Sequence, residues 1–207
     1  MVNEPGAPPA AGAVRLLLAH GAGAGMRTPF LETLATGVAA RGFRVHRFEF
    51  PYMRREDGRR GAPDRPPVLR EAYLEAIAQA GGAAGLVIGG KSLGGRIASL
   101  VADEAGVSGL VCLGYPFHPP GQPGKLRTAH LAALATPALI IQGERDPFGT
   151  REDVAGYPLS PAIQLVWLAD GDHSFAPRKA SGHTGPGHLQ SAVSAVAAFL
   201  AARSRPA

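Results

Sequence analysis

Residues 85–95 read GLVIGGKSLGG, and two patterns overlap in them. G-x-x-x-x-G-K-S marks a loop whose backbone N–H groups wrap phosphates. G-x-S-x-G marks a sharp turn that lifts a serine hydroxyl clear of the backbone. A phosphate loop needs its strand before the first glycine. Here the residues ahead of Gly85, AIAQAGGAA, form a helix end and a turn, and the strand-forming Leu86, Val87 and Ile88 fall inside the supposed loop. The following apolar run, GLVCLGY (109–115), ends without the carboxylate that would hold magnesium. The elbow reading fits the same context. A strand over 86–89 enters Gly90-Lys91-Ser92-Leu93-Gly94, and GRIASLVADEA (95–105) continues as a helix. Glycines at 90 and 94 leave room for the crowded turn, and Gly95 lets the helix pack close.

Outward from this turn, short apolar runs alternate with longer amphipathic ones. AVRLLLAH (13–20), FRVHRFEF (43–50), GLVIGG (85–90), GLVCLGY (109–115), PALIIQG (137–143) and IQLVWL (163–168) read as strands. Most are continuously apolar, as strands buried on both faces are; FRVHRFEF alternates more and belongs nearer an edge. Helices are expected over 28–41, 67–80, 94–105, 128–135 and 186–203. In the last, Leu189, Val193, Val196 and Leu200 recur at helical spacing. The alternation predicts one α/β domain over 13–204, with about six mostly parallel strands and helices on both faces. Functional groups then belong at the carboxyl ends of the strands. Neither polar insertion, 51–67 or 115–127, is long enough for a substantial cap.

A serine nucleophile needs a base, the base needs an orienting carboxylate, and the oxyanion needs donors. IIQGERDPFG places Asp146 just past a strand, and LADGDHSF places His173 just past the last one. LLLAHGAGAG puts His20-Gly21-Ala22-Gly23 after the first strand. The Ala22 and Leu93 N–H groups are assigned as oxyanion donors, with Gly23 in reserve for the first. Glu144 is the rival carboxylate, and His183 and His188 are the rival bases. His20 reads as a loop-ordering residue, Asp170 and Asp172 as turn-shaping ones, and Lys91 as pointing away from Ser92. Cys112 reads as core packing.

The order Ser92…Asp146…His173 resembles that of the α/β-hydrolase superfamily over nearly the whole chain. More narrowly, HGAGAG, GGKSLGGR, GYPFHPPG, GERDPFG and GDHSF resemble a small capless family related to dienelactone hydrolases. That family includes a testis-expressed protein and a subunit of a chromatin acetyltransferase complex. The resemblance implies a hydrolase-like core, with some members serving as scaffolds; the Ser92, His173 and Asp146 pattern itself predicts hydrolysis of a carboxylic ester or similar small acyl compound. Dienelactone hydrolases proper use a cysteine nucleophile, where this chain has Ser92.

The remaining totals bound the alternatives. The 207 residues carry a formal charge of +5, spread mostly over arginines, with no helix-turn-helix or zinc-finger pattern, so no nucleic-acid partner is expected. A single cysteine rules out an intrachain disulfide and suits the cytoplasm. Residues 1–12 read as a flexible tail with none of the features of a signal peptide. No apolar run approaches membrane-spanning length. No metal site or organic cofactor is expected, since no His/Cys/Asp cluster has ligand spacing. Arg54 and Arg55, after the second strand, are candidates for binding an anionic substrate above Ser92. Oligomeric state is not legible.

Overall fold

The computed structural model describes residues 1–6, 12–54 and 62–204. Its centre is a seven-stranded sheet: β1 (Val2–Asn3), β2 (Arg15–Ala19), β3 (Val45–Phe48), β4 (Leu86–Lys91), β5 (Gly109–Leu113), β6 (Ala138–Gly143) and β7 (Ile163–Leu168). The spatial order is β1-β3-β2-β4-β5-β6-β7, and every pairing is parallel except β1 with β3. The chain runs from β2 to β3 on one side, then returns to place β4 on the other. That reversal opens a crevice at the carboxyl ends of β2 and β4, where Ala19 pairs with Gly90.

The described residues form five α-helices: α1 (Pro29–Ala39), α2 (Pro66–Gln79), α3 (Leu93–Ala105), α4 (Arg151–Ala155) and α5 (Gly185–Ala201). α1 and α5 pack together on one face, burying Leu31, Leu34, Val38, Val193, Val196 and Leu200 over Leu16, Leu18, Val87 and Val111. α2 and α3 cover the other, burying Tyr73, Ile77, Ile97 and Val101 over Leu17, Ile88, Leu110 and Ile140. Each fully buried aliphatic or aromatic side chain contributes about 1.5–3 kcal/mol, so the alternating faces of β2 and β4 fix both layers. Local signals set the helix ends. Thr28 caps α1 through the Leu31 N–H with Pro29 following, and Gly106 closes α3 at φ 64°.

Two expectations are corrected. Residues 2–3 are not part of a flexible tail: they pair with Val45 and His46 as an antiparallel edge strand. The outer edge of β3 would otherwise present unpaired backbone groups. Arg47 anchors the strand, its Nε donating to Asn3 Oδ1 (3.1 Å) and its Nη1 lying 2.7 Å from Glu32 Oε2. The stretch 128–135 forms only a short 3₁₀ turn, Ala129–Ala133, while α4 is an unpredicted single turn capped by Thr150 and Asp153. Among the described residues no folded insertion stands over the crevice, and no helix is long and apolar enough to cross a membrane.

Candidate active site

The turn after β4 forces Ser92 into an unusual backbone conformation, φ 50° and ψ −112°. A non-glycine residue at positive φ is held there at a cost of about 1–3 kcal/mol, met by the surrounding structure. Ser92 N–H donates to the Leu113 carbonyl (3.0 Å), and α3 starts at Leu93. Gly94 makes the close approach possible. A methyl group there would meet the carbonyl oxygens of Ala19 and His20 at 2.6 and 2.7 Å.

The loops after β6 and β7 bring two further side chains to the serine. His173 Nε2 lies 2.9 Å from Ser92 Oγ, and His173 Nδ1 lies 2.7 Å from Asp146 Oδ2. Asp146 is fully buried, whereas His173 keeps 21% of its side-chain surface exposed. The Asp146 carboxylate is held on both oxygens. Phe148 N–H donates to Oδ1 (2.9 Å) and Gln142 Nε2 to Oδ2 (2.9 Å). With the carboxylate accepting from Nδ1–H, Nε2 is the nitrogen left to take the serine proton. The Phe148 ring lies against the imidazole at 4.2 Å between centroids.

The alternatives sit elsewhere. Glu144 accepts from Arg151 (2.6 Å) and from the Asp170 N–H (3.1 Å). His183 is exposed, and buried His188 donates from Nδ1 to the Phe175 carbonyl (2.9 Å). Asp172 shapes the His173 loop by accepting the Ser174 and Ala176 N–H groups (2.7 and 2.9 Å). His20 is buried, donating from Nδ1 to Gly21 O (2.7 Å) and accepting the Phe50 N–H on Nε2 (3.0 Å). Burial pulls its pKa down, opposed by the Gly21 hydrogen bond and the Glu49 charge. An imidazole engaged on both nitrogens orders the loop.

Ala22 lines the same cleft as Ser92, and Leu93 follows Ser92 as the first residue of α3. Neither N–H has an acceptor among the described residues. Tyr52 steadies the first of these by donating to the Ala22 carbonyl (3.2 Å). Ala22 and Gly23 line a cleft of about 410 Å³ with Ser92, His173, Phe148, Ala24, Thr28, Phe30 and Leu31.

Arg54 does not join it. The 3₁₀ turn Pro51–Met53 buries Tyr52 beneath the Gly21–Ala22 loop, and Arg54 lines a separate recess of about 290 Å³ with Met26, Arg47 and Glu49. Arg55 lies outside the described residues. The cation in the cleft is Lys91 instead. Its Nζ donates to the His173 carbonyl (2.6 Å), so the side chain turns toward the histidine loop rather than away. Burial pulls its pKa down to about 8, against the opposing charges of Asp146 and Asp172. Gln142 and Lys91 are the participants that sequence reasoning missed. Lys91 adjoins the serine in GGKSLGG, and Gln142 is the one polar residue in the apolar run of β6. Among the described residues no His/Cys/Asp/Glu group could hold a metal ion.

The model of the Alpha/beta hydrolase domain family matches residues 12–201. The chain belongs to that family. Solved structures share its fold at low identity. An alpha-beta serine hydrolase homologue from Coxiella burnetii is 21% identical with a TM-score of 0.70, covering 97% of this chain and 90% of its own. Dienelactone hydrolase from Anabaena variabilis is 19% identical with a TM-score of 0.71, covering 99% and 91%. Paleococcus ferrophilus monoacylglycerol lipase is 16% identical with a TM-score of 0.69, covering 99% of both chains.

Proposed function

We propose that the domain is a serine hydrolase that cleaves a carboxylic ester or related acyl compound through an acyl-enzyme. The observation that carries this reading is the unbroken chain Ser92 Oγ–His173–Asp146, at 2.9 and 2.7 Å, raised on a strained elbow at the floor of an open cleft. His173 Nε2 takes the Ser92 proton as Oγ attacks the carbonyl carbon. Asp146 holds the imidazole in the required tautomer and stabilises the imidazolium. The Ala22 and Leu93 N–H groups receive the oxyanion, with Gly23 able to replace Ala22, and the amino end of α3 adds favourable potential. His173 then protonates the leaving group. It next removes a proton from water, and the resulting attack frees the acid and restores Ser92.

The contributions of the three members are not additive, since they act as a unit. The motifs support placing the chain in the capless dienelactone-hydrolase-related group, and its cysteine content supports a cytoplasmic location. The deciding experiment is fluorophosphonate labelling of wild type and Ser92→Ala, followed by turnover of short p-nitrophenyl esters. Labelling confined to wild type, with turnover falling by about 10³-fold or more in the variant, is expected. A folded wild type that takes no label would instead support a hydrolase-like binding or scaffold module.

A further inference from the structure

The cleft above Ser92 contains a charge that the hydrolytic cycle does not use. Among the described residues lining it, Lys91 carries the one ammonium, and no carboxylate is present. Ala22, Ala24, Phe30, Leu31 and Phe148 make the walls largely apolar. Lys91 Nζ donates to the His173 carbonyl (2.6 Å) and stands 5.7 Å from the Phe30 ring centroid. Neither neighbour is a counter-ion. The charges that act on Lys91 from adjoining elements are Asp146, after β6, and Asp172, after β7. Both are engaged elsewhere: Asp146 by His173, Gln142 and the Phe148 N–H, and Asp172 by the Ser174 and Ala176 N–H groups. An ammonium short of water and without a paired carboxylate attracts an anion strongly, because a partner there replaces hydration already lost.

We propose that Lys91 makes the cleft selective for esters whose acyl chain ends in a free carboxylate, the half-esters of short dicarboxylic acids. The inference rests on the serine-hydrolase reading above. The carboxylate pairs with the Lys91 ammonium while Ser92 attacks the ester carbonyl at the other end of the chain. The ester C–O bond breaks, His173 delivers a proton to the departing alcohol, and water supplies the oxygen of the new carboxylate. The products are the dicarboxylate, the alcohol and one proton. A short acyl chain suits the site because Lys91 and Ser92 are adjacent residues facing one cleft.

The test compares ethyl hydrogen succinate with ethyl butyrate, a neutral ester of equal acyl length, by ethanol release from the full chain. Fluorophosphonate labelling of Ser92 is measured in parallel. Wild type favours the half-ester at pH 7. Lys91→Met lowers kcat/KM for the half-ester about 10–100-fold more than for butyrate, chiefly through KM, as expected for loss of a charge-assisted contact. Lys91→Arg recovers part of the preference. In wild type, the half-ester to butyrate ratio falls as pH rises through about 8, where the ammonium loses its proton. That arm needs no variant, so misfolding of Lys91→Met does not shield the proposal. A labelled wild type that treats both esters alike overturns the substrate proposal alone. So does an equal loss on both esters in Lys91→Met, the result if Lys91 only anchors the His173 loop. A wild type that takes no label overturns the hydrolase reading and the substrate proposal with it.

Discussion

Replacing Gln142 by methionine removes an amide while keeping an unbranched side chain of similar length. Gln142 is fully buried at the end of β6. Its Oε1 accepts the Tyr115 N–H (2.7 Å). Its two amide hydrogens are shared among Asp146 Oδ2 (2.9 Å), the Tyr115 carbonyl (3.1 Å) and the Gly149 carbonyl (3.3 Å). The variant leaves the Tyr115 N–H without its acceptor, which costs about 1–3 kcal/mol in a buried setting. It also strips a donor from the Asp146 carboxylate, a charge-assisted bond worth about 1.5–3 kcal/mol. The two carbonyls add less, and methionine costs less to bury than an amide, so a total near 3–5 kcal/mol is expected. For a domain of this size, with about 2–4 °C per kcal/mol, Tm falls by roughly 6–20 °C. Asp146 keeps the Phe148 N–H and His173 but gains freedom to turn. Measured well below the new Tm, kcat is therefore expected to drop about tenfold or more with KM nearly constant, the sign of a loss confined to the transition state. Calorimetry and ester kinetics on the same preparation check both figures. A Tm within about 2 °C of wild type, together with unchanged kcat, would refute the claim that this amide fixes the carboxylate.

Two further predictions follow from the turns around the site. Gly94→Ala drives a methyl group against two backbone carbonyls at 2.6 and 2.7 Å, so urea unfolding should show a loss of at least about 2 kcal/mol. Fluorophosphonate labelling of that variant should slow as Ser92 shifts. The Asp170 carboxyl is held down at about 2, first by its hydrogen bond with Arg178, then by the Arg178 N–H and the nearby Arg145 charge. Its folded pKa lies below the unfolded value near 4, so its contribution is present above about pH 4 and lost as pH falls toward 2. Asp170→Asn should flatten Tm against pH across that window, and an unchanged slope would show that Asp170 is not its source.

The parts of the molecule legible in the sequence are those set by short-range patterns. The continuous apolar runs of β2, β4, β5 and β6 announced a buried parallel sheet, and the strand-turn-helix context around Ser92 separated an elbow from a phosphate loop. His173 and Asp146 were placed by strand ends, and their meeting with Ser92 follows from the parallel pairing of β4, β5, β6 and β7. What the pattern did not carry depends on long-range pairing or on side-chain direction. Val2 and Asn3 have no strand signature of their own; they are strand because β3 has an open edge. Lys91 looks like a solvated lysine until the His173 carbonyl, supplied from 82 residues away, captures its ammonium. Arg54 looked like a substrate ligand because its loop follows a strand. The turn that buries Tyr52 instead sets Arg54, two residues on, against the separate recess.

Cys112 gives the native fold a built-in clock. Its Sγ sits against the Gly95 carbonyl (3.4 Å) in the middle of the sheet, and burial pushes its thiol pKa up, so the folded protein offers no reactive thiolate to solvent. It is also the chain's sole cysteine. The pace at which a thiol-directed dye consumes it therefore reports the openings, local or global, that expose the α3–β5 interface.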